Sequence, residues 1–314
     1  MPQMRIVGSV EVTNSLQHIL ETLRKRRGFD AAFAAKRKSM AINDYFSQSK
    51  LNAAVIGVSG GVDSAVALGL LVAASQQPNS PIRKIVAVLA PIYTRGASNQ
   101  QSALNRGVQL RTKFSDWVDF WVCDLTEAQR AYTTAIRQLS TSAWAEGQLL
   151  SIVRTPAFYY AAALLQQNGY KSLVVGTTNR DEGAYLGFYG KASDGMVDLQ
   201  PISDLHKSEV YQLAEVLDIP QQITKANPSG DVFDGRFDEE MIGAPYWFVE
   251  LYLRLKEERE LSLLNGISNE EKALFNKYGN NIEAQHAKNA HKYRVGSPAV
   301  HLDVYNRSIP GGWK

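Results

Sequence analysis

One stretch constrains this chain more than any other: Val55-Ile56-Gly57-Val58-Ser59-Gly60-Gly61-Val62-Asp63-Ser64. The apolar run Ala53 to Val58 is short, β-branched and bounded by a turn signal, which predicts a buried strand. Ser59, Gly60 and Gly61 predict a tight loop. Residues 64–74 (SAVALGLLVAA) predict a helix packed on a sheet, with Ser64 at or near its N-cap. A strand, a Gly-rich loop and a helix N-terminus together make an anion site. Bare backbone N–H groups point outward there, and the helix dipole favours negative charge. Two glycines let an oligophosphate approach the backbone with no Cβ in the way.

The spacing decides which anion. A Walker loop needs GxxxxGK[ST], and no Lys follows Gly61. A dinucleotide fingerprint needs GxGxxG, which glycines at 57, 60 and 61 do not provide. The motif present is SGGxDS. It resembles the pyrophosphate-binding loop of the N-type ATP pyrophosphatases, which cleave ATP to AMP and pyrophosphate while activating a carboxyl or carbonyl oxygen. A carboxylate at Asp63 makes sense beside phosphate only if a cation joins them, so Mg²⁺ is implied.

The chain has 314 residues, long for one domain and short for two. A 45% share of hydrophobic residues is enough for a core, and a net charge of +3 is too small to argue for nucleic acid or membrane. The longest apolar run, Ala65 to Ala74, is too short to span a bilayer. No basic-then-apolar signal pattern opens the chain. The single Cys123 allows no internal disulfide. These features lead to the expectation of a cytoplasmic protein. Cys123 sits in the strand-like run WVDFWVCDL, where it reads as buried filler rather than nucleophile.

Periodicity predicts helices over 9–27 and 31–48, the first ending in the basic cluster Arg24-Lys25-Arg26-Arg27 before Gly28. Strands are expected at Ile85 to Leu89, Phe114 to Val122 and Ser172 to Gly176, and helices over 99–113, 126–140 and 156–167. Strands alternating with helices imply right-handed βαβ units and a doubly wound, mostly parallel sheet with helices on both faces. Ligands of such sheets bind outside the carboxyl ends of the strands. The loops after Val58, Leu89 and Val175 should therefore share one cleft.

The second informative stretch runs from Gly176 to Gly243. It opens GTTNRDEG and continues GFYGKASDGMVDLQPISDLHKSEVYQLAEVLDIP, then ITKANPSGDVFDGRFDEEMIG. With SGGVDS, these segments resemble the ammonia-dependent NAD synthetases over roughly residues 45–250, in the family's order. The resemblance implies an adenine nucleotide alpha hydrolase-like fold. It describes one domain across 1–314, with extra N-terminal helices to about residue 45 and a tail from about 295. It also implies a reaction: ATP adenylates the nicotinate carboxylate of deamido-NAD, and ammonia displaces AMP. By the same resemblance Ser59, Gly60, Gly61, Val62, Asp63 and Ser64 hold ATP. Asp63 and Glu182 hold Mg²⁺. Thr177, Lys207 and Ser229 contact the phosphate or the adenylate, and with Asp63 form the catalytic set. Arg154, Lys191, Asp194, Asp198, His291 and Lys292 match acceptor-binding positions. The resemblance further implies a homodimer.

The chain departs from the family at Gly147 to Arg154, where Gln148 and Ile152 replace Asn and Arg, and at Gly190-Lys191-Ala192-Ser193-Asp194-Gly195. Both departures fall where the acceptor should bind. They keep open a related ATP pyrophosphatase that forms an amide on another carboxylate. Using glutamine would require a glutaminase nucleophile, commonly Cys. With Cys123 alone, and no stretch before residue 50 long enough for a glutaminase domain, ammonia is the expected nitrogen source. The Pro, Gly and Asp content of residues 225–243 predicts a mobile lid carrying Ser229.

Overall fold

A computed structural model describes residues 14–92, 97–136, 138–140, 142–226, 237–292, 301–302 and 312–313. Helices α1 (Asn14–Arg27) and α2 (Ala31–Gln48) precede β1 (Ala53–Gly57), α3 (Val62–Ser75) and β2 (Lys84–Leu89). Then come α4 (Ala97–Phe114), β3 (Asp119–Val122), α5 (Thr126–Ala135), α6 (Ala143–Gln167) and β4 (Ser172–Val175). The remaining helices are α7 (Lys207–Val216), α8 (Gln221–Thr224), α9 (Asp238–Ile242), α10 (Tyr246–Glu257) and α11 (Asn269–Asn289).

The four strands form one parallel sheet in the order β3-β2-β1-β4. Successive side chains of a strand point to opposite faces. On β1, Ala54 and Ile56 face a core built with α2, α3 and α7, including Phe46, Leu68 and Leu213. Ala53 and Val55 face the other way, against Ala161 and Leu165 of α6. Both faces are covered, so the strand is apolar throughout rather than alternating. Helix α3 is apolar almost all round because it is buried almost all round, between the sheet and the helices α2 and α7. The expected doubly wound architecture is present, and the order 3-2-1-4 places the topological switch between β1 and β4.

Several boundaries differ from the sequence expectation. Phe114 ends α4 rather than opening a strand, and only Asp119–Val122 pairs with β2. Helix α5 stops at Ala135. Helix α6 begins at Ala143, capped by the Ser142 Oγ, which accepts from the Ala145 amide at 3.3 Å, and it runs through Pro156. Proline removes one backbone donor, so the Ile152 carbonyl loses its helical partner. Ile152 is exposed, and water can serve that carbonyl. Gly61, not Ser64, is the N-cap of α3.

A second core joins α1, α10 and α11. Leu16, Leu20 and Leu23 fall on one face of α1 and meet Phe248, Leu251 and Leu255. Beneath them lies a buried charge network. Arg254 bonds Glu250 at 3.0 Å and Glu209 at 3.2 Å, while Arg24 and Arg27 of α1 reach the same two carboxylates. Removing one member of a buried network leaves charge without compensation. Arg254→Met is therefore expected to cost about 3 kcal/mol of stability, read by urea unfolding. Among the described residues no helix is long and apolar enough to cross a membrane.

Candidate active site

Backbone pairing of the sheet continues to Val58, whose amide donates to the Val88 carbonyl at 2.9 Å. The chain then turns sharply. Gly60 adopts φ +78°, and a Cβ there would sit 2.7 Å from the Ala103 carbonyl oxygen of α4. Both facts demand glycine. The Ser59 hydroxyl accepts from the Gly61 amide at 3.2 Å, and the Ser64 hydroxyl donates to the Gly61 carbonyl at 3.0 Å. Ser64 thus closes the loop from inside the first turn. From α4, Arg106 Nε donates to the Gly60 carbonyl at 2.7 Å.

Asp63 projects from the first turn of α3 towards the segment after β4. That segment makes a π-helical turn, Asp181–Leu186, closed by left-handed Gly187. Such turns are rare and recur at functional sites. Asp181 is fully buried. It accepts from the Lys207 amide at 2.7 Å and meets His206 Nδ1 at 2.6 Å, which fixes the start of α7 against the turn. The neighbours of these two residues then meet as well. Lys207 Nζ lies 2.6 Å from Asp63 Oδ2 and 3.2 Å from Glu182 Oε1. Asn179 ties Asp63 to the turn that carries Glu182, donating to Asp63 Oδ1 at 3.0 Å and accepting from the Glu182 backbone amide at 3.1 Å. Tyr246, at the start of α10, donates its hydroxyl to Glu182 Oε1 at 2.6 Å, with Asp238 Oδ2 3.4 Å away. The Lys207 ammonium sits 4.7 Å from the centre of the Tyr246 ring.

Three carboxylates around one ammonium leave an excess of negative charge. Burial pushes the Glu182 carboxyl up to about 7, with Lys207 opposing and Asp63 and Asp238 assisting. Burial would lower Lys207, but Asp63, Glu182 and Asp238 outweigh it and hold the ammonium charged well above its usual range. Burial and the same carboxylates keep the Tyr246 hydroxyl protonated. Mg²⁺ prefers oxygen ligands and usually takes one or two carboxylates, with substrate phosphates completing its shell. Asp63 and Glu182, two oxygen donors drawn to one cation beside the anion loop, fit that requirement. Among the described residues no group of three or more His, Cys, Asp or Glu side chains forms a ready-made metal cluster.

A cavity of about 820 Å³ opens over this cluster. Its walls include Ser59 and Gly61 after β1, Ala90 and Pro91 after β2, and Thr177 and Thr178 after β4, so the three loops share one cleft. Val62, Asp63, Ser64, Glu182 and Lys207 line it too, as do Arg154, Asp194 and Lys292. Arg154 Nε donates to the Ala90 carbonyl at 3.2 Å. Lys292 Nζ donates to the carbonyls of Gly187, at 2.8 Å, and Tyr189. Lys191, Asp198 and His291 are not brought to the cavity wall. Asp198 instead accepts from the Val174 amide at 2.7 Å and from the Tyr159 hydroxyl at 3.3 Å, securing the edge of β4. Ser229 and residues 227–236 of the expected lid lie outside the described residues.

Sequence reasoning missed Asn179, Tyr246, Asp238 and Arg106. Asn179 had a signal, three residues before Glu182 in the same turn. Tyr246 had none, since Tyr246-Trp247-Phe248 reads as core.

The sequence profile of the NAD synthase family matches residues 34–296. The NH(3)-dependent NAD(+) synthetase of Methanococcoides burtonii is 31% identical over 205 residues, covering 65% of this chain and 72% of the relative. That of Thermoplasma volcanium is 35% identical over 194 residues, covering 62% and 72%. Among solved structures, an NMN synthetase from Francisella tularensis superimposes with a TM-score of 0.68 at 24% identity, over 86% of this chain and 98% of that one. An NH3-dependent NAD synthetase from Campylobacter jejuni gives 0.62 at 22%, over 86% and 98%. These two likenesses speak to fold, and they agree with the parallel sheet and its helices. The match across most of the chain, together with these relatives, shows that the chain belongs to the NAD synthase family and is an enzyme of the ligase class.

Proposed function

We propose that this chain amidates deamido-NAD to NAD, using ATP and ammonia, through a nicotinyl-adenylate. The observation that carries the reading is the Lys207 ammonium held between Asp63, on the phosphate-loop helix, and Glu182, after β4. In the first step a nicotinate carboxylate oxygen attacks the α-phosphorus of ATP. The bond from that phosphorus to the bridging oxygen breaks, and its electron pair leaves on pyrophosphate. In the second step the nitrogen lone pair of ammonia attacks the acyl carbon, the C–O bond to AMP breaks, and the nitrogen loses a proton.

Negative charge gathers on phosphate in the first step, so donors fixed in advance lower its barrier. In this reading the loop Ser59 to Ser64 carries the phosphates, Lys207 supplies a point cation, and Thr177 contributes a hydroxyl. Ser229 belongs to the same reading as an adenylate contact. Mg²⁺, held by Asp63 and Glu182, would add Lewis-acid neutralisation of the phosphates. Arg154, Asp194 and Lys292, which line the same cavity, are assigned to the acceptor by resemblance, as are Lys191, Asp198 and His291.

Purified chain given deamido-NAD, ATP, Mg²⁺ and ammonium should yield NAD, AMP and pyrophosphate in equal amounts. A second reading keeps the chemistry and changes the acceptor. It is favoured by the lining residues Gln148 and Ser193, which stand where the chain departs from the family pattern. One structural neighbour is named for NMN synthesis. The same assay with the mononucleotide acid whose amide is NMN decides: amidation of that acid in preference to deamido-NAD replaces the first reading with the second.

Ammonium, not glutamine, should support turnover. The single thiol, Cys123, is partly buried at the end of β3, and burial raises its pKa, which disfavours the reactive thiolate. Glutamine-driven turnover after removal of contaminating ammonium would refute this.

A homodimer is the proposed assembly. The edge strand β3, helix α5 and α6 carry exposed Val122, Tyr132, Ile136 and Tyr160, with Leu139 between the helices. The family resemblance implies the dimer, and these residues are the apolar groups on that edge which a partner subunit would cover. Light scattering should give twice the chain mass at micromolar concentration, and Ile136→Glu should shift it towards monomer.

A further inference from the structure

We propose that Arg106 is a phosphate-binding residue that holds the β,γ-pyrophosphate end of the nucleotide. The assignment rests on the nucleotide reading above and adds a cation that the loop motif does not contain. The SGGVDS loop lacks the lysine that other phosphate loops carry. Lys207, which meets Asp63 of the loop helix, is engaged by Asp63 and Glu182, and these carboxylates more than cancel its charge. Bringing an oligophosphate to such a site needs positive charge from elsewhere.

Helix α4 supplies it from the side. Arg106 is half-buried and lines the cavity together with Ser59 and Gly61. Its Nε donates to the Gly60 carbonyl at 2.7 Å, within the loop itself. The close approach of Ala103 to Gly60 presses α4 on the loop, so the guanidinium is placed by packing and not by a flexible stem alone. A guanidinium has five donors in a rigid fork, and one bond to a carbonyl occupies one of them. The fork suits phosphate oxygens, to which charge-assisted bonds are strong. When the α–β bridging P–O bond breaks, the departing pyrophosphate takes the electron pair. A fixed cation at that end stabilises the charge as it develops.

The test is calorimetric titration of full-length wild type, R106A and R106Q with inorganic pyrophosphate in Mg²⁺, and with AMP. Glutamine retains a donor for the Gly60 carbonyl but has no charge, so R106Q separates phosphate binding from bracing of the loop. Both variants should bind pyrophosphate roughly tenfold more weakly or worse, the loss of one charge-assisted contact, with AMP affinity unchanged. R106Q affinity for pyrophosphate equal to wild type would overturn the assignment, and a loss seen only in R106A would make Arg106 a structural brace instead. If wild type binds neither pyrophosphate nor AMP, the nucleotide reading falls and this assignment with it. If wild type binds pyrophosphate and both variants match it, only the assignment falls.

Discussion

Asp63→Asn is expected to lower ATP-dependent turnover about a thousandfold, since metal stabilisation of a phosphoryl transition state is worth several kcal/mol. The substitution is nearly isosteric, so the fold should persist. Its effect is chemical. One Asp63 oxygen accepts from Lys207 and the other from Asn179. An amide offers one acceptor and one NH₂ group, so one of those contacts becomes donor against donor. The remaining carbonyl is neutral and a poorer Mg²⁺ ligand. Steady-state rates across a Mg²⁺ titration, with circular dichroism as the fold control, measure the effect. Near-normal turnover at ordinary Mg²⁺ would remove Asp63 from the reacting centre.

Lys207→Met should have an effect of similar size on turnover and a second effect on stability that depends on pH. Methionine fills much the same volume but leaves Asp63, Glu182 and Asp238 facing one another without the ammonium. The Glu182 carboxyl, already at about 7 through burial, loses the neighbour that holds it down and rises further. A carboxyl whose pKa is higher folded than unfolded favours folding while it is protonated. That contribution is complete below its ordinary value of 4.5 and disappears as pH rises through the folded value. The variant should therefore be weaker at every pH tested, because the raised Lys207 pKa stabilises the wild type throughout the range below its ordinary 10.5, with the gap smallest near pH 5 and widening above pH 7. Parallel curves across that range would mean that Lys207 does not compensate these carboxylates. A variant that keeps wild-type turnover would mean that the ammonium is not part of the phosphate site.

How far the sequence foretold this arrangement varies residue by residue. Helix α2 falls on the expected 31–48, because Asp30 caps it through the Phe33 amide and its buried positions follow helical spacing. The sheet and its shared cleft were legible because β1, β2 and β4 are short apolar runs separated by helices. Helix α6 was read short because proline ordinarily opens a helix. Here Pro156 sits inside one, with the exposed Ile152 four residues earlier. Asp63, Glu182 and Lys207 were legible from motif, and all three line the cavity. Tyr246 and Arg106 were not. Periodicity says that a residue lies on a helix, and it does not say that a tyrosine hydroxyl will reach a carboxylate 64 positions earlier. Nor does it say that an arginine will bond a carbonyl 46 positions earlier. Such pairings are set by how helices dock, and that information is spread over the whole core.

Distance along the chain has a consequence for synthesis. Asp63 leaves the ribosome early, but its partners Asn179 and Lys207 follow 116 and 144 residues later, and Tyr246 later still. Strand β1 likewise waits for β4 before its second edge is paired. Contacts of such long range make folding slow, and growing chains fold from their N-terminal side first. A ribosome-bound fragment ending before α7 would thus carry the phosphate loop without the ammonium that offsets Asp63. It would hold the parts of an ATP site without the charge balance to use it, so nucleotide binding should begin only after α7 has emerged.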